Sequence, residues 1–246
     1  MIKLIKYELR KQAFSKGIIL AILGLLELVF LYGVIRDSDL VFGLSVSLLM
    51  ILTYISILYV AFESIFTYSG DLNSKRSYML FLIPKSSYQI VGAKVLSAGI
   101  QVLITGFAFF AVAVLDIGIL TAKYGMLADV RDMIVSLVTE ITKTDIDIKN
   151  IMLGFLLLLL SWISIMTNGF FSITLSTTFL ANRKLNQLIS FVIFIVINIL
   201  YSFIANKIFG VNLSESYIIK YSLYTLCFIA ITYLGTSWML DKKVCV

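Results

Sequence analysis

Six long, largely apolar runs are spaced along the chain, and they leave few folds open to it. They fall at about 18–35, 40–66, 95–115, 151–178, 188–206 and 217–240. A helix needs about 20 predominantly apolar residues to cross a bilayer, so each run is a candidate span. The rest of the composition agrees: 60% of residues are hydrophobic, 14% are charged and the mean hydropathy is +1.01. A globular domain carries about a quarter charged residues. No polar stretch is long enough for a separate soluble domain. The expected fold is therefore all-α and integral to the membrane, with six transmembrane helices in a single domain over 1–246.

Charge sets an orientation. With a cytoplasmic N-terminus, the inside segments are 1–17, 67–94, 179–187 and 241–246, and they hold 13 of the 20 Lys and Arg. Most acids fall outside: Asp37, Asp39, Asp116, Asp129, Asp132, Glu140, Asp145, Asp147 and Glu215. Basic residues concentrate on the cytoplasmic side of membrane proteins. An even helix count then puts both termini inside, and the net charge of +6 reflects topology and lipid contact, with no nucleic-acid partner. The opening MIKLIKYELRKQAFSKG is too basic and too long for a cleavable signal and leads into a span of full length. In it Ile2, Ile5, Leu9 and Ala13 recur at helical spacing, while Lys3, Lys6, Arg10 and Lys11 take the other faces. That pattern suits an interfacial helix over 1–17 lying on membrane lipid. Residues 116–150 form the longest polar segment, where the apolar spacing over 126–142 predicts an amphipathic helix on the extracellular face.

Catalytic chemistry finds little to work with. The chain has no His, and its two Cys, Cys227 and Cys245, make no metal or disulfide pattern. It has no G-x-x-x-x-G-K-[ST] phosphate loop, no H-E-x-x-H and no G-x-S-x-G. An enzyme is not expected, nor a metal or cofactor on this chain. Ionisable and amide groups inside the spans are the functional candidates instead. Glu27 lies near the middle of the first span with no basic residue at its depth, so its partner is an uncharged polar group or a bound cation. Glu63 is within about a turn of the inner interface and can snorkel to it. Asn168 and Asn198, with Gln101, either bond across helices as packing contacts or face a path. Glu27, Glu63, Asn168 and Asn198 are the candidates for a translocation pathway or a subunit interface.

The inside segment 67–94 holds the chain's one proline. Pro84 disfavours helix in the residue before it, and Ser86 with Gln89 fits a capping box for a new helix. The result is a helix–break–helix elbow with Leu80, Phe81, Leu82 and Ile83 at its corner. An apolar knob among charges suits docking to a soluble partner, and it equally suits a loop lying flat on lipid.

The run Asp71-Leu72-x5-Tyr78-x2-Phe81-x2-Pro84-x-Ser86-x3-Ile90-x3-Lys94-x-Leu96 resembles the cytoplasmic loop of type-2 ABC exporter permeases. The opening Lys6-Tyr7-Glu8-Leu9 and the six-span layout are similar too. The resemblance implies a coupling helix between the second and third spans, with Asp71, Tyr78, Leu80, Phe81, Leu82, Ile83, Pro84, Ser86, Gln89 and Ile90 near a separate cytoplasmic ATPase. Two ATPase copies, supplying ATP and Mg, and a second permease chain, identical or a sister, would complete the assembly. The implied role is alternating-access export of a hydrophobic or amphipathic substrate, a peptide such as an antimicrobial peptide, across a bacterial cytoplasmic membrane. The alternative is an ATPase-independent secondary transporter or channel.

Overall fold

The structure is a computed structural model and describes residues 1–73, 86–125, 132, 136, 148–179, 183–210 and 215–242. The elements used below are α1 (Ile2–Lys11), α2 (Ala13–Ile35), α3 (Asp39–Asn73), α4 (Ser87–Tyr124), α5 (Ile148–Phe179), α6 (Arg183–Phe209) and α7 (Glu215–Lys242). No strand occurs among the described residues. Helices α2 to α7 are each long and apolar enough to cross a membrane, as a multi-pass membrane protein requires. The extracellular helix expected over 126–142 lies outside the described residues, apart from helical backbone at Asp132 and Ser136.

The helices outrun the apolar segments that announce them. The third span, expected over 95–115, is part of a helix from Ser87 to Tyr124, and the second, expected to end at 66, continues to Asn73. Asp71 and Asp116 therefore sit on helices, where the apolar limits place them in loops, and Ile90 is on a helix that begins after Ser86, as the cap position predicts. Hydropathy marks where lipid contact stops, whereas a helix stops where its backbone is turned. At α4 the turn is Gly125 in the left-handed region (φ 69°), whose N–H returns to the Thr121 carbonyl; at α6 it is Gly210 (φ 63°), bonded to Asn206. Glycine adopts that conformation without a Cβ penalty. Between α2 and α3 the chain reverses in three residues. Asp37 takes φ 51° there, and the Ser38 N–H bonds the Gly33 carbonyl at 3.2 Å. Gly33 is needed because a Cβ on it would lie 2.9 Å from the Phe42 backbone nitrogen.

Helix α5 is the centre of the bundle, packed against α3, α4, α6 and α7. The seams between helices are made of small and polar residues: Ser56 and Ser64 on α3, Ser97 and Thr105 on α4, Thr167 and Ser172 on α5, Thr236 and Ser237 on α7, all buried. Many of the hydroxyls bond their own helix one turn back, as Ser172 does to Asn168 at 2.8 Å, so they add little side-chain bulk to the seam. Small residues let helix backbones approach where lipid offers no hydrophobic drive. Gly169 admits Ile65, and Gly235 admits Phe171, each at a distance no Cβ would allow. One cluster of large buried side chains lies at one end, where Tyr68, Val91, Phe170, Ile173 and Leu240 pack together. Tyr68 is fully buried, and its hydroxyl meets that of Thr174 at 2.6 Å. The long side chains on the outer surface, among them Leu25, Met50, Phe107 and Phe203, are exposed, as lipid-facing residues would be.

The same end carries α1. The last turn of α7 is there too, with Ser87 donating to Asp241 at 3.3 Å, so α1 and the end of α7 share one side of the bundle. Helix α1 has three faces. Lys3, Lys6 and Arg10 are exposed, and Ile2 on the apolar face is 82% exposed. Its third face, centred on Glu8 and Gln12, is buried against the bundle. The apolar spacing of 1–17 marks the face fitted for lipid and does not mark this inward one.

Candidate functional site

At the α1 side four charged residues from three helices meet. Lys94, near the start of α4, is 5% exposed; its ammonium lies 2.7 Å from a Glu8 oxygen and 2.6 Å from Asp71 Oδ2. The other Asp71 oxygen receives Lys11 at 2.6 Å. Helix periodicity brings Glu8, Asp71 and Lys94 inward and sets the more exposed Lys11 beside them: Glu8 and Lys11 are a turn apart on α1, Asp71 follows Tyr68 by three on α3, and Lys94 follows Val91 by three on α4. The order Glu8, Lys94, Asp71, Lys11 alternates in sign and sums to zero. A buried charge is tolerated when paired in this way. The Tyr68 ring, with its centroid 5.9 Å from the Lys94 ammonium, closes the inner side.

These contacts stand at the base of the segment expected to dock a partner. Tyr78, Leu80, Phe81, Leu82, Ile83 and Pro84 lie outside the described residues. Among the residues on either side, Asp71 and Ile90 are buried, while Ser86 and Gln89 are exposed. Ser86 occupies the N-cap of α4 in extended geometry, as its spacing predicts, but its side chain makes no capping hydrogen bond, so the capping box with Gln89 is not formed. Glu63 belongs to a neighbouring contact. It accepts from the Ser15 hydroxyl and the Lys16 ammonium, which join the start of α2 to α3. Snorkelling is thus replaced by a pairing within the protein.

A groove runs along the bundle between α3 and α6, with α5 as its floor. It has a volume of about 630 Å³ and is lined by Leu58, Phe62, Trp162, Phe194 and Phe203, with Asn198 and Ser202 as its polar groups. A smaller cleft of about 150 Å³ continues it past Phe62 and Phe194 towards the α1 side, where Ser69, Gln187 and Ser190 line it. Both are largely apolar, with a few polar side chains set along them. Asn198 is on its wall, with its amide donated to the Phe194 carbonyl at 2.8 Å. Asn168, by contrast, is fully buried within the bundle and its Nδ2 has no partner. Gln101 is 4% exposed, and neither of its amide atoms has a partner.

Glu27 meets an acid. Its carboxyl neighbours that of Asp116 on α4. Glu27 Oε2 and Asp116 Oδ1 are each buried without a partner. The sequence leaves an uncharged polar group or a bound cation as the partner of Glu27, and the structure adds a second carboxyl beside it, hidden from sequence by the early limit placed on the third span. A proton or a cation between the two would satisfy both. Near them, at the side away from α1, Lys123 binds the Asp37 carboxylate at 2.5 Å and the Val34 carbonyl, and the Tyr124 hydroxyl donates to Asp37 at 2.7 Å. These two donors hold the Asp37 carboxyl below its ordinary pKa.

The residues that periodicity alone does not reveal are Glu8, Lys11 and Lys94. Glu8 is separated from Lys94 by 86 positions and Lys11 from Asp71 by 60. A charged residue on the inward face of an amphipathic helix is the one available signal. Among the described residues no cluster of metal-ligating side chains occurs. Comparison with protein-family models, curated proteins and solved structures gives no match to the chain.

Proposed function

We propose that the chain is the membrane permease subunit of an ATP-driven exporter of the type-2 ABC kind, oriented with both termini in the cytoplasm. In this reading a separate ATPase engages the segment between α3 and α4, and a second permease chain completes the pathway. The observation that carries the reading is the groove between α3 and α6: long, largely apolar and open at the bundle surface. Such a wall suits a cargo with a long apolar face, as an amphipathic peptide has. The resemblance of 71–96 to the ATPase-contacting loop supplies the energy source.

The test is co-purification from membranes holding the chain and the ATPase encoded beside it. Wild type is expected to retain the ATPase, and a variant with serines at Leu80 to Ile83 is expected to lose it while eluting as a folded species. Ser202→Trp, which fills the groove, is expected to keep the ATPase and lose peptide export. Failure of the ATPase to associate under any condition would sink the proposal.

One observation favours a second reading, a secondary transporter that works alone. Glu27 and Asp116 form a carboxyl pair at membrane depth, and such pairs serve proton-coupled carriers. Peptide uptake into vesicles driven by a proton gradient, without ATPase and abolished by Glu27→Gln, would establish it.

A further inference from the structure

We propose that α1 is a hinged strap held by a charge latch that can open without stranding a buried charge. The hinge is Gln12. It is at once the last cap of α1 and the first of α2, with φ −104° and ψ 5°, so one residue breaks what would otherwise be a single helix. Just beyond it Ser15 and Lys16 tie the start of α2 to Glu63, which fixes the pivot. The arm, Ile2–Lys11, then meets the bundle through a face centred on Glu8.

The latch is the Glu8, Lys94, Asp71, Lys11 cluster, and its membership is what makes it releasable. Two of the four belong to α1 and two to the bundle. Each body holds one carboxylate and one ammonium. When α1 lifts away, Asp71 and Lys94 keep their 2.6 Å contact across the base of the 74–85 segment. Glu8 and Lys11, three positions apart on one helix, can pair with each other. A permanent rivet would divide its charges differently, with the anion on one body and the cation on the other, so that opening would leave each unpaired. Here the docked and lifted states are both neutral in each part. Opening exchanges two contacts for one and exposes the inward face of α1 to water or headgroups. The inference does not depend on the exporter reading.

Four double variants separate a latch from a rivet. Each removes one carboxylate and one ammonium. E8Q/K11M and D71N/K94M leave both remaining charges in one body, so α1 is released. E8Q/K94M leaves Lys11 with Asp71, and D71N/K11M leaves Glu8 with Lys94. In these two the surviving pair bridges the bodies, and lifting α1 would leave the bundle's charge unpaired. Spin labels at Lys3→Cys and Gln89→Cys, both exposed and outside the cluster, in full-length chain with Cys227→Ser and Cys245→Ser, report the separation of α1 from α4 by pulsed dipolar spectroscopy. The first two variants should show a second, longer distance with an unchanged elution profile. The other two should show the short distance alone. Identical distributions in all four would overturn the proposal, because the strap would then be held by its other contacts. Loss of the folded elution peak in E8Q/K11M or D71N/K94M would overturn it as well, since the cluster would then be a structural rivet.

Discussion

Replacing Lys94 by methionine removes the one cation that two carboxylates share, and no arrangement of the strap can absorb the loss. With α1 docked, Asp71 keeps Lys11, and Glu8, only 7% exposed, is left alone. With α1 lifted, Glu8 can turn to Lys11, and Asp71, 7% exposed when docked, is left on the bundle without a cation. Either way one buried carboxylate is uncompensated, and removing one partner of a buried pair costs about 3–5 kcal/mol. Methionine fills the lysine stem, so little of that cost comes from a cavity. For a chain of this length each kcal/mol lowers the unfolding midpoint by about 2–4 °C, which makes the expected drop about 6–20 °C. The assay is loss of the monodisperse elution peak after heating in detergent. A second change gives the internal control: E8Q/K94M removes the stranded anion and restores neutrality, so it should recover a coupling of about 0.5–3 kcal/mol relative to the single variants added together. Lys11→Met should cost less than Lys94→Met, since the Lys11 side chain is 25% exposed and the Asp71 carboxylate it leaves keeps Lys94. A Lys94→Met protein within about 2 °C of wild type would refute the reasoning. So would a double variant less stable than Lys94→Met alone.

Three further outcomes are expected in the same assay. Gly33→Ala would place a Cβ 2.9 Å from a backbone nitrogen of α3 and should destabilise by about 1–3 kcal/mol, whereas Gly24→Ala, with nothing within 4 Å, should be neutral or stabilise by up to about 1 kcal/mol; equal effects would show that the α2–α3 turn is not tight. The Asp37 carboxyl is held below its ordinary pKa by Lys123 and Tyr124, so its contribution is present above the ordinary carboxylate value of about 4 and is lost as pH falls through the lowered one. The small difference between wild type and Asp37→Asn should therefore vanish on acidification and in high salt, and a difference constant with pH would contradict the contact. Tyr68→Phe keeps the ring against Phe170 and loses a hydroxyl contact at 2.6 Å; it should cost about 0.6 kcal/mol, because Thr174 retains its bond to the Phe170 carbonyl, and a loss matching that of Tyr68→Ala would assign the hydroxyl a larger role.

Hydropathy is a dependable guide to the six spans because each must satisfy lipid along its outer face, and Leu25, Phe107 or Phe203 does so one residue at a time. It is a poor guide to helix ends. Asp71, Lys94, Asp116 and Lys123 all lie on helices, paired or in contact with other side chains, where a window of apolar residues has already closed. The mid-span acid Glu27 stands out in the sequence, yet its partner is hidden in what reads as a loop. The charge cluster is less legible still. Its members are ordinary basic and acidic residues at a membrane boundary, and only the folded chain distinguishes Lys94, which is buried, from Lys3, which is in the open. The Ser86 cap shows the opposite case: the position is legible, and the side-chain bond that usually accompanies it is not made.

The seams of serine, threonine and glycine between α3, α4, α5 and α7 carry a consequence for how substitutions would be tolerated. In a water-soluble protein, leucine is safe inside and harmful outside. Here the map inverts. An added leucine on the lipid side of α2 or α6 joins others like it, whereas the same leucine at Ser56, Thr167 or Ser237, each no more than 2% exposed, would wedge two helices apart without gaining any burial from water. A saturation scan of this chain would then rank side-chain volume above polarity as the cause of damage, and the positions most sensitive to it would trace the lines along which the inserted helices meet.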